Sequence, residues 1–205
     1  MSESVNRWAP GCCYGPVLTQ TDLYLLDTEL ELNPILKNQS DAFQISFNVA
    51  TGQVTGTNHE SGDRELPFGP VKDEAATLPR VSELIVITDI SPWCTTIKNP
   101  SGVTINDFCN SIWKEYTENM VTDKEFESLR PRDQETVRRY AANVAGQNWG
   151  GYYTPAPANI PTRYKRVDWL RDRVWFNKLS KNDNYAKARL GVSTPNIFVM
   201  SLKHY

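Results

Sequence analysis

The chain has 205 residues, 40% of them hydrophobic, 22% charged and 11% aromatic, with a net charge of −2 and two histidines. That composition excludes a wholly disordered chain, a collagen and a coiled coil, and suffices for one globular domain with bulky core material. The longest aliphatic run, Leu84-Ile85-Val86-Ile87, is far too short for the roughly 20 residues that span a bilayer.

Met1 to Gly15 lacks the basic-then-apolar order of a secretory signal, so a cytoplasmic protein is expected. Residues 1–16, rich in Pro, Gly and Cys, read as the start of an extended N-terminal arm over 1–31, before a single domain over 32–205. The cysteines at 12, 13, 94 and 109 show no C-x-x-C spacing and are expected to be buried thiols in a reducing compartment. From Val17 to Leu36 apolar residues recur without a clean period, as in a segment crossing the domain surface to the Asn33-Pro34 turn. Phe43 to Val49 alternates apolar and polar residues, the period of a strand with one wet face. Residues 51–80, with their Gly, Pro and charges, read as a long excursion.

Glu83 to Ile90 reads as a buried strand, broken at Ser91-Pro92-Trp93 before Cys94 to Lys98 continues extended. Thr104 and Asp107 form a capping pattern ahead of a stripe of Ile105, Phe108, Cys109, Ile112, Trp113 and Tyr116, which predicts a helix. Thr122-x-x-Glu125 opens a short second helix. Pro131 either breaks it or starts a third, with Val137, Tyr140, Ala141 and Val144 inward and Gly146 as its cap. Residues 146–162 are too long for a plain connector and carry Trp149, Tyr152 and Tyr153. Arg166 to Phe176 is a hairpin or a short helix followed by a strand, and Ile197 to Leu202 a covered central strand. The predicted class is α+β: an antiparallel sheet of about four to six strands with two or three helices on one face.

The ordered set Leu32-Asn33-Pro34-Ile35-Leu36, Leu84 to Ile87 with Pro92-Trp93, Val103 to Asp107 with Ile112, and Arg166-Val167-Asp168-Trp169-Leu170 with Phe176 and Leu179 resembles a fungal domain family of unknown function, numbered 6699. Similar sequences usually have Trp-Asp where this chain has Phe43-Gln44, and its 146–162 loop is longer than usual. The resemblance implies an intracellular domain of mixed α and β structure and no activity.

No serine-hydrolase, P-loop, dinucleotide, zinc-protease or EF-hand pattern occurs. His59, Glu60, Asp63 and Glu65 are four possible ligands within seven residues of one Gly-flanked loop, but a single imidazole on no rigid frame predicts no metal, and no cofactor is expected. Residues 1–62 carry two basic and seven acidic side chains, whereas 163–205 carry ten basic and three acidic. The plain expectation is that the two ends pack and neutralise each other; the functional one is a basic surface for an anionic partner.

Loop aromatics beside guanidinium groups point to a binding or interaction domain that recognises a protein or small ligand through Trp93, Trp149, Tyr152, Tyr153, Arg166 and Arg171, against a plainer reading of Trp93, Trp169 and Trp175 as core and Arg166–Asp168 as an ion pair. The alternative is a small cofactor-free enzyme with Asp168 or Glu83 as acid/base and Tyr or Arg polarising a carbonyl. Single-strand or RNA binding by the basic C-terminal part is a third reading, which the net charge disfavours.

Overall fold

The structure, a computed structural model, describes residues 7–9, 15–58, 60, 64–147 and 163–204, with the backbone alone for 145–147. In chain order it forms α1 (Gln20–Leu26), β1 (Glu31–Leu32), β2 (Gln44–Phe47), β3 (Val54–Thr57), β4 (Thr77–Leu78), β5 (Glu83–Thr88) and β6 (Cys94–Lys98). Then come α2 (Ile105–Glu118), α3 (Asp123–Glu127), α4 (Pro131–Gln147), α5 (Arg166–Leu170), β7 (Trp175–Ser180), α6 (Asp183–Leu190) and β8 (Ile197–Lys203).

The main sheet runs β6-β5-β8-β7 and is mixed rather than wholly antiparallel. β5 and β6 form a hairpin around residues 89–93, β7 and β8 a second antiparallel pair, and β5 and β8 run parallel in the middle. Ile197 to Leu202 therefore needs apolar residues on both sides, as its composition implies. Along β5 the side chains alternate: Leu84 and Val86 enter the main core, while Ile87 joins Ala186 and Ile197 beneath α6. Helices thus cover both faces, where one covered face was expected. Phe108 of α2 stands edge-on to Phe176 of β7 at 5.3 Å, which locks the long helix to the sheet.

Three threonines cap helices through the same box. Thr19, Thr104 and Thr122 each accept from the backbone three residues on, and Asp22, Asp107 and Glu125 reach back. Pro131 takes the first position of α4, where its missing N–H is harmless, but Gly146 lies inside that helix and not at its cap. The 51–80 excursion holds two strands and a bridge from Gly56 to Leu66, and Arg166–Leu170 is the helical option followed by a strand.

Two helices escaped the sequence reading. α1 buries only Leu23 and turns Tyr24, Leu25 and Leu26 to solvent, so its apolar residues mark no stripe. α6 has no apolar stripe either; Asn182 accepts from Tyr185 N at 3.0 Å at its start, and Gly191 at φ 77° ends it. Leu18, Leu23 and Leu32 all belong to the main core, so the segment from 18 to 32 is packed into the domain.

Candidate functional site

Trp93 follows Pro92 in the β5–β6 turn, and its ring folds inward to 6% exposure. There it meets Tyr116 of α2 at 5.9 Å and Trp169 of α5 at 5.1 Å, both edge-on. The polar atom of each of the three rings has a partner, whereas Nε of Arg166 beside them is buried without one. Trp93 Nε1 donates to Glu125 Oε1 at 2.7 Å, Trp169 Nε1 to the Ile90 carbonyl at 2.9 Å, and the Tyr116 hydroxyl lies 2.7 Å from Ser91 Oγ. Burial pushes the Tyr116 phenol up to about 12, against the opposing pull of Ser91 and Arg189, so the hydroxyl stays protonated. Arg166 sits over the Trp93 ring at 4.7 Å and is paired with Glu115. The knot is structural, and Trp93 and Arg166 are committed within it.

Beside the knot a groove of about 710 Å³ opens between α4 and the turn joining α5 to β7. Its apolar side is Ile90, Leu129 and Trp169. Its rim carries Arg130, Arg139, Arg171 and Arg173, with Tyr140 and Asn143 between them. Asp133 cross-braces the rim: it accepts from Arg171 at 2.9 Å and from Arg130 at 3.1 Å, and the Arg171 bond above all holds its carboxyl below the usual range. At the other lip His204 Nδ1 lies 2.9 Å from Asp172, and Arg173 Nε donates to His204 Nε2 at 3.3 Å. Burial, then Asp168 and Asp172, raise the Tyr140 phenol, which keeps it a proton donor. Arg171 has φ 59°, a conformation that costs a side-chain-bearing residue energy and that concentrates at functional sites.

The structure separates the residues singled out from sequence. Arg171 lines the groove, and Trp93 and Arg166 do not. Trp149, Tyr152 and Tyr153 lie outside the described residues, as do His59, Asp63, Cys12 and Cys13. Asp168 has its carboxyl raised by burial, yet Oδ2 accepts from Lys165 N at 2.8 Å and so closes the first turn of α5. Glu83 faces Lys98 across the hairpin at 3.3 Å. Cys109 is buried as expected and its thiol pushed up by that burial; Cys94, expected buried, is exposed, and partial desolvation of its sulfur raises the thiol against the pull of Arg189. Both favour the unreactive thiol form.

The sequence reading missed Asp133, Tyr140 and Asn143. Their spacing, with Thr136, follows one helical face, but Tyr140 had been assigned to the inward stripe with Val137, Ala141 and Val144. Only Val137 and Ala141 are buried; Val144 is 39% exposed. Among the described residues no ion pair joins the acidic front to the basic back: Arg166 and Arg171 take their carboxylates from α2 and α4.

Among the described residues no three His, Cys, Asp or Glu side chains converge as a metal site, and no helix is long and apolar enough to cross a membrane. The model of a family described as "Family of unknown function (DUF6699)" matches residues 42–186. No curated protein and no solved structure matches.

Proposed function

Since the chain belongs to this family, which brings no activity with it, we propose from its geometry that it is a binding domain whose recognition surface is the arginine-rimmed groove. Its ligand is a protein segment with a carboxylate next to a large apolar side chain. One observation carries the reading: four guanidinium groups surround a groove with an apolar wall, and three of them are held, Arg171 and Arg130 by Asp133 and Arg173 by His204. Guanidinium groups held by carboxylates lose little freedom on meeting an anion, and the aromatic wall takes the apolar neighbour.

The test is calorimetric titration with glutamate-rich peptides bearing one Phe or Leu, against the full chain and an Arg139→Glu/Arg173→Glu double variant. Binding that weakens with salt and drops at least about tenfold in the double variant supports the groove. No binding at low salt, or binding indifferent to the reversal, removes it.

A further inference from the structure

A second pocket, of about 410 Å³, lies between residues 33–43 and 66–74. Pro34, Phe43, Pro67 and Pro70 line it, and so does Trp8 from the N-terminal segment. Trp8 is 6% exposed, so its indole is held against the domain although residues 1–6 and 10–14 beside it lie outside the described residues.

The residue before it is held as well. Arg7 is paired with Glu31 beside β1, and its guanidinium lies over the Trp8 ring at 5.3 Å. An Arg-Trp pair is thereby read at two points, a carboxylate for the cation and a proline-walled seat for the indole. The frame of the seat is braced independently of Trp8. Asn33, fully buried, donates to Glu74 Oε2 at 3.1 Å and to the Ala75 carbonyl at 3.0 Å, and its Oδ1 accepts from Ile35 N at 2.8 Å. A preformed seat with open volume beside its occupant permits exchange, because the occupant can leave without dismantling the walls.

We propose that this pocket is a binding site for the Arg7-Trp8 segment of this chain, filled in cis within one copy and exchangeable with the same segment of a second copy. The segment is both plug and ligand. The probe is a synthetic peptide spanning residues 1–14, titrated calorimetrically into full-length wild type and into the Trp8→Ala variant. The expected result is micromolar binding to W8A, on the order of 1–100 μM, and at least about tenfold weaker binding to wild type, whose seat is already taken. The same peptide with Trp8→Ala does not bind. In a second arm, Glu31→Lys weakens the natural peptide at least about tenfold and instead takes a peptide with Arg7→Glu.

A folded W8A protein that ignores the peptide overturns the proposal, as does equal binding by wild type and W8A or equal binding of the Trp-free peptide. So does a W8A chain that fails to fold, since Trp8 is then core. An E31K protein that keeps full affinity for the natural peptide removes the two-point reading.

Discussion

Trp93 donates its one polar hydrogen to Glu125 and lies edge-on to two rings, so its deletion removes packing, a hydrogen bond and the seat of Arg166 together. Trp93→Ala is expected to cost about 3–5 kcal/mol in urea unfolding, and Trp93→Phe, which keeps most of the ring, nearer 1 kcal/mol. A small effect of W93A would return Trp93 to the surface, where the sequence placed it as a ligand residue. Glu115→Gln strands the Arg166 guanidinium, which burial already disfavours in its charged form, and should cost on the order of 2 kcal/mol. Adding Arg166→Met should recover part of that loss; strict additivity of the two substitutions would show that the pair is not coupled. A tryptophan after a strand-breaking proline was legible as special, with a core place and a ligand place both open to it. The neighbours that enclose it were not, because Tyr116 and Trp169 are brought in by the fold from far along the chain.

α2 and α3 were readable because a threonine box is local chemistry, complete within four residues, and apolar residues follow it; the same box at Thr19 went unread because α1 has no apolar stripe behind it. At α2 the box does more than cap. Asp107 Oδ2 accepts from Thr104 N at 3.0 Å, from Thr104 Oγ1 at 2.9 Å and from Asn99 Nδ2 at 2.6 Å, which ties the helix start to the turn before it. Thr104→Ala should therefore cost about 1 kcal/mol and Asp107→Ala about twice that, by chemical denaturation; the reverse order would make the turn contact irrelevant. The β2–β3 hairpin depends on a bare backbone at Gly56, where an added Cβ would come within 2.2 Å of the Phe43 ring. Gly56→Ala must displace that ring, and a loss of roughly 1–3 kcal/mol is expected in the same assay. α6 stayed invisible as well: Ala186 is its one fully buried residue, with Tyr185 and Leu190 half-buried beside it, and these leave no stripe to read. The groove was hidden likewise, since its two walls are α4 and a turn that only tertiary packing brings together.

At the scale of the whole molecule, acid acts on the fold through a few carboxylates that can be named. Four sit below their ordinary range: Asp22 through its bonds with Thr19, Asp133 through Arg171, Asp183 through Ser193 and Lys181, and Glu125, despite the opposing push of burial, through Thr122 and Trp93. A depressed carboxylate binds fewer protons folded than unfolded. Its stabilisation is therefore full above its unfolded value, near pH 4, and is lost as the pH falls through the folded one. Asp168 runs the other way: burial raises it, so the folded chain takes its proton more readily and its contribution fades as the pH rises. Among the described residues four carboxylates are lowered and one is raised, so acid is expected to destabilise the fold. Two of the four brace the region around the groove, Asp133 between α4 and the α5–β7 turn and Glu125 beneath Trp93, whereas no such carboxylate holds the central β5–β8 pair. Melting temperature should thus fall from pH 5 to pH 3, with hydrogen exchange in α4 and α5 accelerating before exchange in β5 and β8. Asp133→Asn should melt lower than wild type at pH 7 yet lose less on acidification, because the group whose protonation breaks the brace is gone. Parallel pH profiles for the two proteins would mean that Asp133 does not carry this linkage.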